Sequence, residues 1–239
     1  MKPIVSLILL LASSALAACS AQPELAATGA NTEAPKAADY AALAAAGVQI
    51  YTIDPGSSWL RIYAFRGGRA AFAGHDHVLS SRDFSGQVSL PDKVGDARFD
   101  LEFPLDKLII DDPAMRSAAG GEFAPPLDAD AIEGTRKHLL GADNLDAAHF
   151  PTLRIHCEHI SGELPHLVAT IELTLHGQTR PLLVPLEIEA DKGRLHAKGT
   201  LAIRQTDFGV RPYSVLGGLL SVQDEVSIAF DLVAQSAAR

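Results

Sequence analysis

The sequence predicts an all-β domain, a sandwich or closed barrel of about eight or nine antiparallel strands interrupted by one short helix. Three observations carry this. From about residue 48 onwards, apolar residues recur at every second position, the period of strands with one face buried. Most junctions between these runs hold turn residues, as in "PDKVGD", "HGQTRP" and "DKG". The chain is 47% hydrophobic with only two cysteines, Cys19 and Cys157, so one large core rather than disulfides must stabilise it.

The chain divides into residues 1–18, 19–47 and 48–239. Lys2 precedes "IVSLILLLA" (4–12), an apolar stretch too short to span a bilayer comfortably, which reads as a signal peptide. "LAAC" then places small residues directly before Cys19, and this resembles a bacterial lipobox. Cleavage before Cys19 would leave a lipidated terminal cysteine, and several acyl chains on one residue hold a protein firmly to a membrane. The alternative is an ordinary secretory signal cut nearby. "SAQPELAATGANTEAPKA" (20–37) has no periodic apolar face and reads as a tether. "DYAALAAAG" (39–47) predicts a short helix ending at Gly47, a common place for a left-handed cap.

Within residues 48–239, "FDLEFPL" (99–105) sets Phe99, Leu101, Phe103 and Leu105 on one face. "LVATIELTLHG" does the same with Leu167, Ala169, Ile171, Leu173 and Leu175, and "LLVPLEIEA" with Leu182, Val184, Leu186 and Ile188. "RLHAKGTLAI" contributes Leu195, Ala197, Leu201 and Ile203, and "VSIAFDL" contributes Val226, Ile228, Phe230 and Leu232. Runs at 58–66 and 83–90 fit less cleanly. "DADAIEGTRKHLLG" interrupts the strands as a helix, with Asp130 as its N-cap, Glu133 three residues on, Ile132, Thr135 and Leu139 on one face, and Gly141 at its end. The candidate inward positions are Phe99, Leu101, Phe103, Ile171, Leu173, Leu175, Leu186, Ile188, Leu201, Ile203, Ile228 and Phe230. Alternation alone leaves open whether they fill a core or line a cavity.

"GHDHVL" (74–79) holds His75 and His77 two positions apart, on one face if the chain is extended there. Such a pair supplies two ligands for a metal, and a third would come from His138, His149, His156, His159, His166, His176 or His196. None of these forms a second metal-binding spacing. "HCEH" (156–159), on a regular strand, points His156 and Glu158 one way and Cys157 and His159 the other. The competing reading is a pair of hydrogen-bonding histidines at the end of an early strand, at a turn or cavity rim, where Gly74 permits a bend. No G-x-S-x-G elbow or glycine-rich phosphate loop is present, so the sequence reads as non-enzymatic. Cys157 reads as an inert buried thiol. Loss of residues 1–18 would remove Lys2 alone among the charged residues, leaving 19 basic against 29 acidic, without a basic cluster. That balance argues against nucleic acid as a partner.

Four ordered stretches resemble the YceI-like family: "YTIDPGSSWLRIYAF", "RKHLLGADNLDAAHFPTLRIHC", "LTLHGQTRPLLVPL" and "IRQTDFGVRPYSVLGGLLSVQDEVSIAFDL". The similarity runs from roughly residue 50 to residue 234. It implies an extended, lipocalin-like antiparallel β-barrel of about eight strands with one short helix. It further implies a periplasmic setting and an apolar tunnel that takes a polyisoprenoid chain, with no catalytic residue or cofactor. The resemblance weakens at "GHDHVL", which is richer in histidine than the family pattern, and at "GGEFAPPLDAD", which is longer. On this reading the twelve inward residues line the tunnel, and at least one of His75 and His77 meets its entrance or the polar end of the lipid. Ser20 after Cys19 resembles the outer-membrane default for lipoproteins, which places the protein on the inner leaflet of that membrane. A homodimer is left open. The alternatives are a metal- or haem-binding accessory protein built on His75 and His77, and an interaction module with a filled core.

Overall fold

A computed structural model describes residues 35–191 and 193–236. The expected signal peptide (1–18), Cys19 and most of the expected tether lie outside the described residues. Helix α1 (Tyr40–Ala45) comes first, capped by the Asp39 carboxylate, which accepts from the Ala42 amide. Gly47 follows with φ +87°, as expected for a left-handed cap. The helix lies on the outside of the sheet, where one carboxylate holds it. Asp100 accepts from the Tyr40 hydroxyl at 2.6 Å and the Ala38 amide at 3.0 Å, and its other oxygen meets His156 Nδ1 at 2.7 Å.

The strands are β1 (Gln49–Ile53), β2 (Trp59–Gly67), β3 (His77–Ser81), β4 (Ser85–Leu90), β5 (Arg98–Pro104), β6 (Ile109–Ile110), β7 (Thr152–Glu163), β8 (His166–Leu175), β9 (Gln178–Asp191), β10 (Arg194–Arg204), β11 (Ser214–Val215) and β12 (Leu220–Ser236). They form a closed antiparallel barrel of eight positions. Three positions are occupied by broken strands. β1 pairs with the end of β12 (Tyr51 opposite Ser236), and β2 pairs with β12 further along (Ile62 opposite Ile228). β4 and β3 stand next to β1 and β2 in the same relation, and β5 and β6 stand next to them in turn. The remaining positions are the long strands β7, β8, β9, β10 and β12. The runs at 58–66 and 83–90, which alternate less cleanly, begin at these breaks, and every residue of β2 is only partly buried.

The β8–β9 hairpin shows how tightly local sequence fixes register. His176 (φ +51°) and Gly177 (φ +69°) form its two-residue turn, and two successive left-handed residues are what the twist of such a hairpin favours. A Cβ on Gly177 would sit 2.6 Å from the Phe150 ring, so no larger residue fits.

Among the described residues there are three α-helices, two beside α1 where the sequence predicts one. α2 (Pro113–Ala119) begins at Asp112, whose carboxylate accepts from the Ala114 and Met115 amides, with proline in the first turn. α3 (Ala129–Leu140) is the helix expected from the sequence, but its N-cap is Asp128, not Asp130. The Asp128 carboxylate accepts from the Ala131 amide, and Asp130 lies within the first turn. Among the described residues, no helix is long and apolar enough to cross a membrane.

The alternation expected for "HCEH" does not hold. The β7–β8 register shifts between Cys157 and His159, so Cys157 is buried while Glu158 and His159 are both exposed. A bulge inserts one unpaired residue and reverses the facing of everything after it, and Ile160 is accordingly the next buried side chain.

Candidate functional site

The barrel is hollow. A cavity of about 730 Å³ runs through it, bordered by side chains from nearly every strand and from one face of α3. All twelve candidate inward residues border it: Phe99, Leu101 and Phe103 on β5, Ile171, Leu173 and Leu175 on β8, Leu186 and Ile188 on β9, Leu201 and Ile203 on β10, and Ile228 and Phe230 on β12. They share this wall with Leu60 and Ile62 on β2, Leu153 and Ile155 on β7, and Leu79 on β3, which the sequence reading did not single out.

The polar groups on the wall are not evenly spread. Arg66, His75, His77, Thr135, His138, Asn144, Gln205, Tyr213 and Ser221 all border the cavity, and all belong to the end where α3 and the β10–β12 connection lie. Away from that end the wall's polar members are Ser81 and Asp92. One end of the cavity therefore offers hydrogen bonds, and the rest offers hydrocarbon.

His77 is the first residue of β3, whereas His75 precedes the strand, so the two are not strand neighbours with a shared face. Their rings still lie 6.5 Å apart between centroids. Asp76 between them is buried, and its carboxylate accepts from the Arg66 amide at 2.8 Å. His77 Nδ1 lies 2.6 Å from Asp111 Oδ2. The other Asp111 oxygen accepts from the Val78 amide at 3.0 Å and from Arg116 Nη1 at 2.6 Å. Arg116 also donates to the carbonyls of Asp76 and Pro125. Because Nδ1 is engaged by the carboxylate, Nε2 is the nitrogen that His77 has left for a ligand. Burial pushes the Asp111 carboxyl upward, but the bond and charge of His77, the Val78 amide and Arg116 outweigh it and hold it below the usual carboxylate range.

Asn144 has the complementary arrangement. Its Nδ2 donates to the Arg211 carbonyl at 2.9 Å, while its buried Oδ1 has no partner. Exchanging the two atoms would set two oxygens against each other, so the orientation is fixed. A buried acceptor without a donor is costly, and this one borders the cavity. Ser81 Oγ is likewise buried and unpartnered on the cavity wall. Neither residue stands out in the sequence, since isolated asparagine and serine residues carry no positional signal.

Among the described residues, no group of three or more His, Cys, Asp or Glu side chains is placed to hold a metal ion. His75 and His77 thus lack a third ligand. Cys157 is fully buried, and burial pushes its thiol up to about 11, far from the range of a reactive thiolate.

α3 presents Ala131, Gly134, Thr135, His138 and Leu139 to the cavity. A Cβ on Gly134 would meet nothing within 4 Å, although glycine inside a helix is unfavourable. Gly134→Ala should therefore raise unfolding stability by about 0.5–1 kcal/mol, read by urea denaturation.

A closed antiparallel barrel around an apolar cavity, with polar groups gathered at one end, is a lipocalin-like hollow barrel. The chain belongs to the YceI-like domain family, whose sequence pattern matches residues 51–234. Among solved structures it is similar to BcnA of Burkholderia cenocepacia, with 18% identity, 77% of this chain and 99% of that chain covered, and a TM-score of 0.57. It is also similar to a polyisoprenoid binding domain from Saccharophagus degradans implicated in plant cell wall breakdown. There the identity is 12%, the coverage 78% and 98%, and the TM-score 0.53. At these identities the likeness is one of fold. Comparison with curated proteins gave no match.

Proposed function

We propose that this protein is a non-catalytic binder or carrier of a long apolar lipid of the polyisoprenoid class. We propose further that it works in the periplasm, held by acyl chains on Cys19 to the inner leaflet of the outer membrane, with residues 48–239 as the binding domain. The observation that carries the binding reading is the cavity itself. Small engineered cavities cost about 24 cal/mol per Å³. At that rate, an empty void of about 730 Å³ would cost more than the ~5–15 kcal/mol of net stability typical of a domain. Water is a poor filler where the wall offers few polar partners. An apolar chain fills the space at a gain of about 0.8 kcal/mol per buried methylene. A filled-core interaction module would have no use for such a void.

The polyisoprenoid class is supported by the name of the Saccharophagus degradans domain, a polyisoprenoid binding domain, and by the hydrocarbon side chains that make up most of the wall. The polar end supports a ligand with one hydrogen-bonding terminus, such as a hydroxyl, which could donate to Asn144 Oδ1 or His77 Nε2. Native mass spectrometry of the detergent-free chain from Pro35 onwards tests the proposal. A mass increment matching a polyprenyl compound, native or added, is expected. Protein that stays lipid-free after incubation with long polyprenols would refute it.

A further inference from the structure

We propose that the loops 68–75 and 213–219 dock on an anionic bilayer surface and set the cavity mouth against it, so that lipid passes directly between membrane and tunnel. This rests on the lipid-carrier reading and adds to it the surface through which the carrier is loaded.

The two loops form one unit at the polar end of the barrel. The Ala70 amide donates to the Leu219 carbonyl at 2.7 Å, and Gly68 (φ +83°) lies so close that a Cβ there would be 2.4 Å from the same oxygen. At the tip, Phe72 is 84% exposed and Leu216 73% exposed, with Leu219 and Tyr213 also in solvent. Clustered large apolar side chains on loop tips are unusual on a free surface and mark a binding face. The same loops continue into the cavity wall through Ala73, Gly74 and His75 on one side and Tyr213 on the other. The exposed apolar tip is thus continuous with the mouth.

Charge decides which surface the tip fits. In a chain of net charge −9, "GRAAFAGH" (68–75) and "YSVLGGL" (213–219) contain no Asp or Glu. Their one fixed charge is Arg69, exposed and without an ion pair among the described residues. The neighbouring carboxylate of Glu122 is already matched by Arg66. At the opposite end, Asp92, Glu163 and Asp191 at the strand termini stand beside Lys93 and Arg194. The loop tips themselves therefore present no charge that an anionic membrane would repel, and one that it would attract. A face with aromatic and aliphatic side chains beside a free arginine matches the bilayer interface. The chain between Cys19 and Pro35 can reach at most roughly 50–60 Å, enough to let a lipid-held barrel present either end, so the loops make the choice.

Trp59 is the chain's only tryptophan, which allows a direct test on the full chain. In a Trp59→Phe background, Phe72→Trp and Leu164→Trp place an indole at opposite ends. Each is mixed with phosphatidylethanolamine–phosphatidylglycerol vesicles carrying brominated acyl chains. Strong quenching in the Phe72→Trp chain and little in the Leu164→Trp chain is expected. Equal quenching, the reverse order or none at all would overturn the proposal. Separately, Phe72→Ser/Leu216→Ser should extract a long polyprenol from these vesicles about tenfold more slowly or worse. It should bind as much as the unaltered chain when the polyprenol is delivered by dilution from ethanol. An unchanged extraction rate would also overturn the proposal. An unaltered chain that takes polyprenol from neither source refutes the carrier reading instead, while the quenching comparison still decides docking.

Discussion

Replacing Asp111 with alanine is expected to lower unfolding stability by about 3–5 kcal/mol, because the change leaves Arg116 buried without its counter-charge. Both side chains are essentially inaccessible, at 0% and 1% exposure. Arg116 Nη2 already lacks a partner, and the carbonyls of Asp76 and Pro125 that the guanidinium also bonds carry no counter-charge. Alanine adds a second penalty, since Asp111 has φ +51°, a left-handed conformation that Asp and Asn tolerate and other residues resist. Asp111→Asn separates the two effects. It keeps the shape, the backbone tolerance and one acceptor oxygen for Val78 and Arg116 while removing the charge and turning the other oxygen into an amide donor towards His77, so it should fall between the wild type and Asp111→Ala in guanidinium unfolding. The acid limb gives an independent check. The native carboxyl titrates below its ordinary value, so its contribution is complete above the unfolded value near ~3.9 and is lost as pH falls below that. This part of the pH dependence should disappear in Asp111→Asn. If the two substitutions leave stability within experimental error of wild type, the triad of His77, Asp111 and Arg116 does not hold the barrel end together.

How far the sequence exposes this architecture depends on the range of the interaction concerned. The strict alternation of "FDLEFPL" or "LVATIELTLHG" is a property of neighbours, and it places Phe103 or Ile171 on the inner face without further information. A bulge is not visible that way, so the alternation through "HCEH" misplaces His159 once the register slips. α2 had local signals in Asp112 and Pro113, an N-cap followed by a first-turn proline. Its role did not, because the partner of Arg116 is fixed only when "IIDD" is paired against β3. His77 and Asp111 likewise meet across a strand pair that no spacing rule foresees. Most of all, a hollow barrel and a filled one share a single hydrophobic pattern. What separates them is the total volume of the inward side chains against the diameter that eight strand positions enclose, a quantity of the whole ring and not of any segment.

That ambiguity sets the second large expected effect. Leu201→Trp should weaken binding of a long polyprenol about hundredfold or more and change lipid-free stability by no more than about 1–2 kcal/mol. Leu201 lies on β10 opposite Ile228, borders the cavity, and is flanked by the outward-facing Thr200 and Ala202. In a filled interior the added indole would force neighbouring side chains off their rotamers, at a cost of about 1–3 kcal/mol or more. Here it can turn into space that already exists. It then occupies room the lipid needs, and displacing about four methylenes at ~0.8 kcal/mol each removes roughly two decades of affinity. Leu201→Ala is the counterpart at the same position. A core leucine cut to alanine costs about 2–5 kcal/mol, but a side chain on a cavity wall lacks packing partners on one side and has less to lose. Leu201→Ala should therefore sit at or below the lower end of that range and retain polyprenol binding. Denaturant unfolding and native mass spectrometry on both variants give the four readings needed. A tryptophan variant that unfolds easily, beside an alanine variant that loses several kcal/mol, would mean that the interior is packed and that a long apolar chain has no room in it.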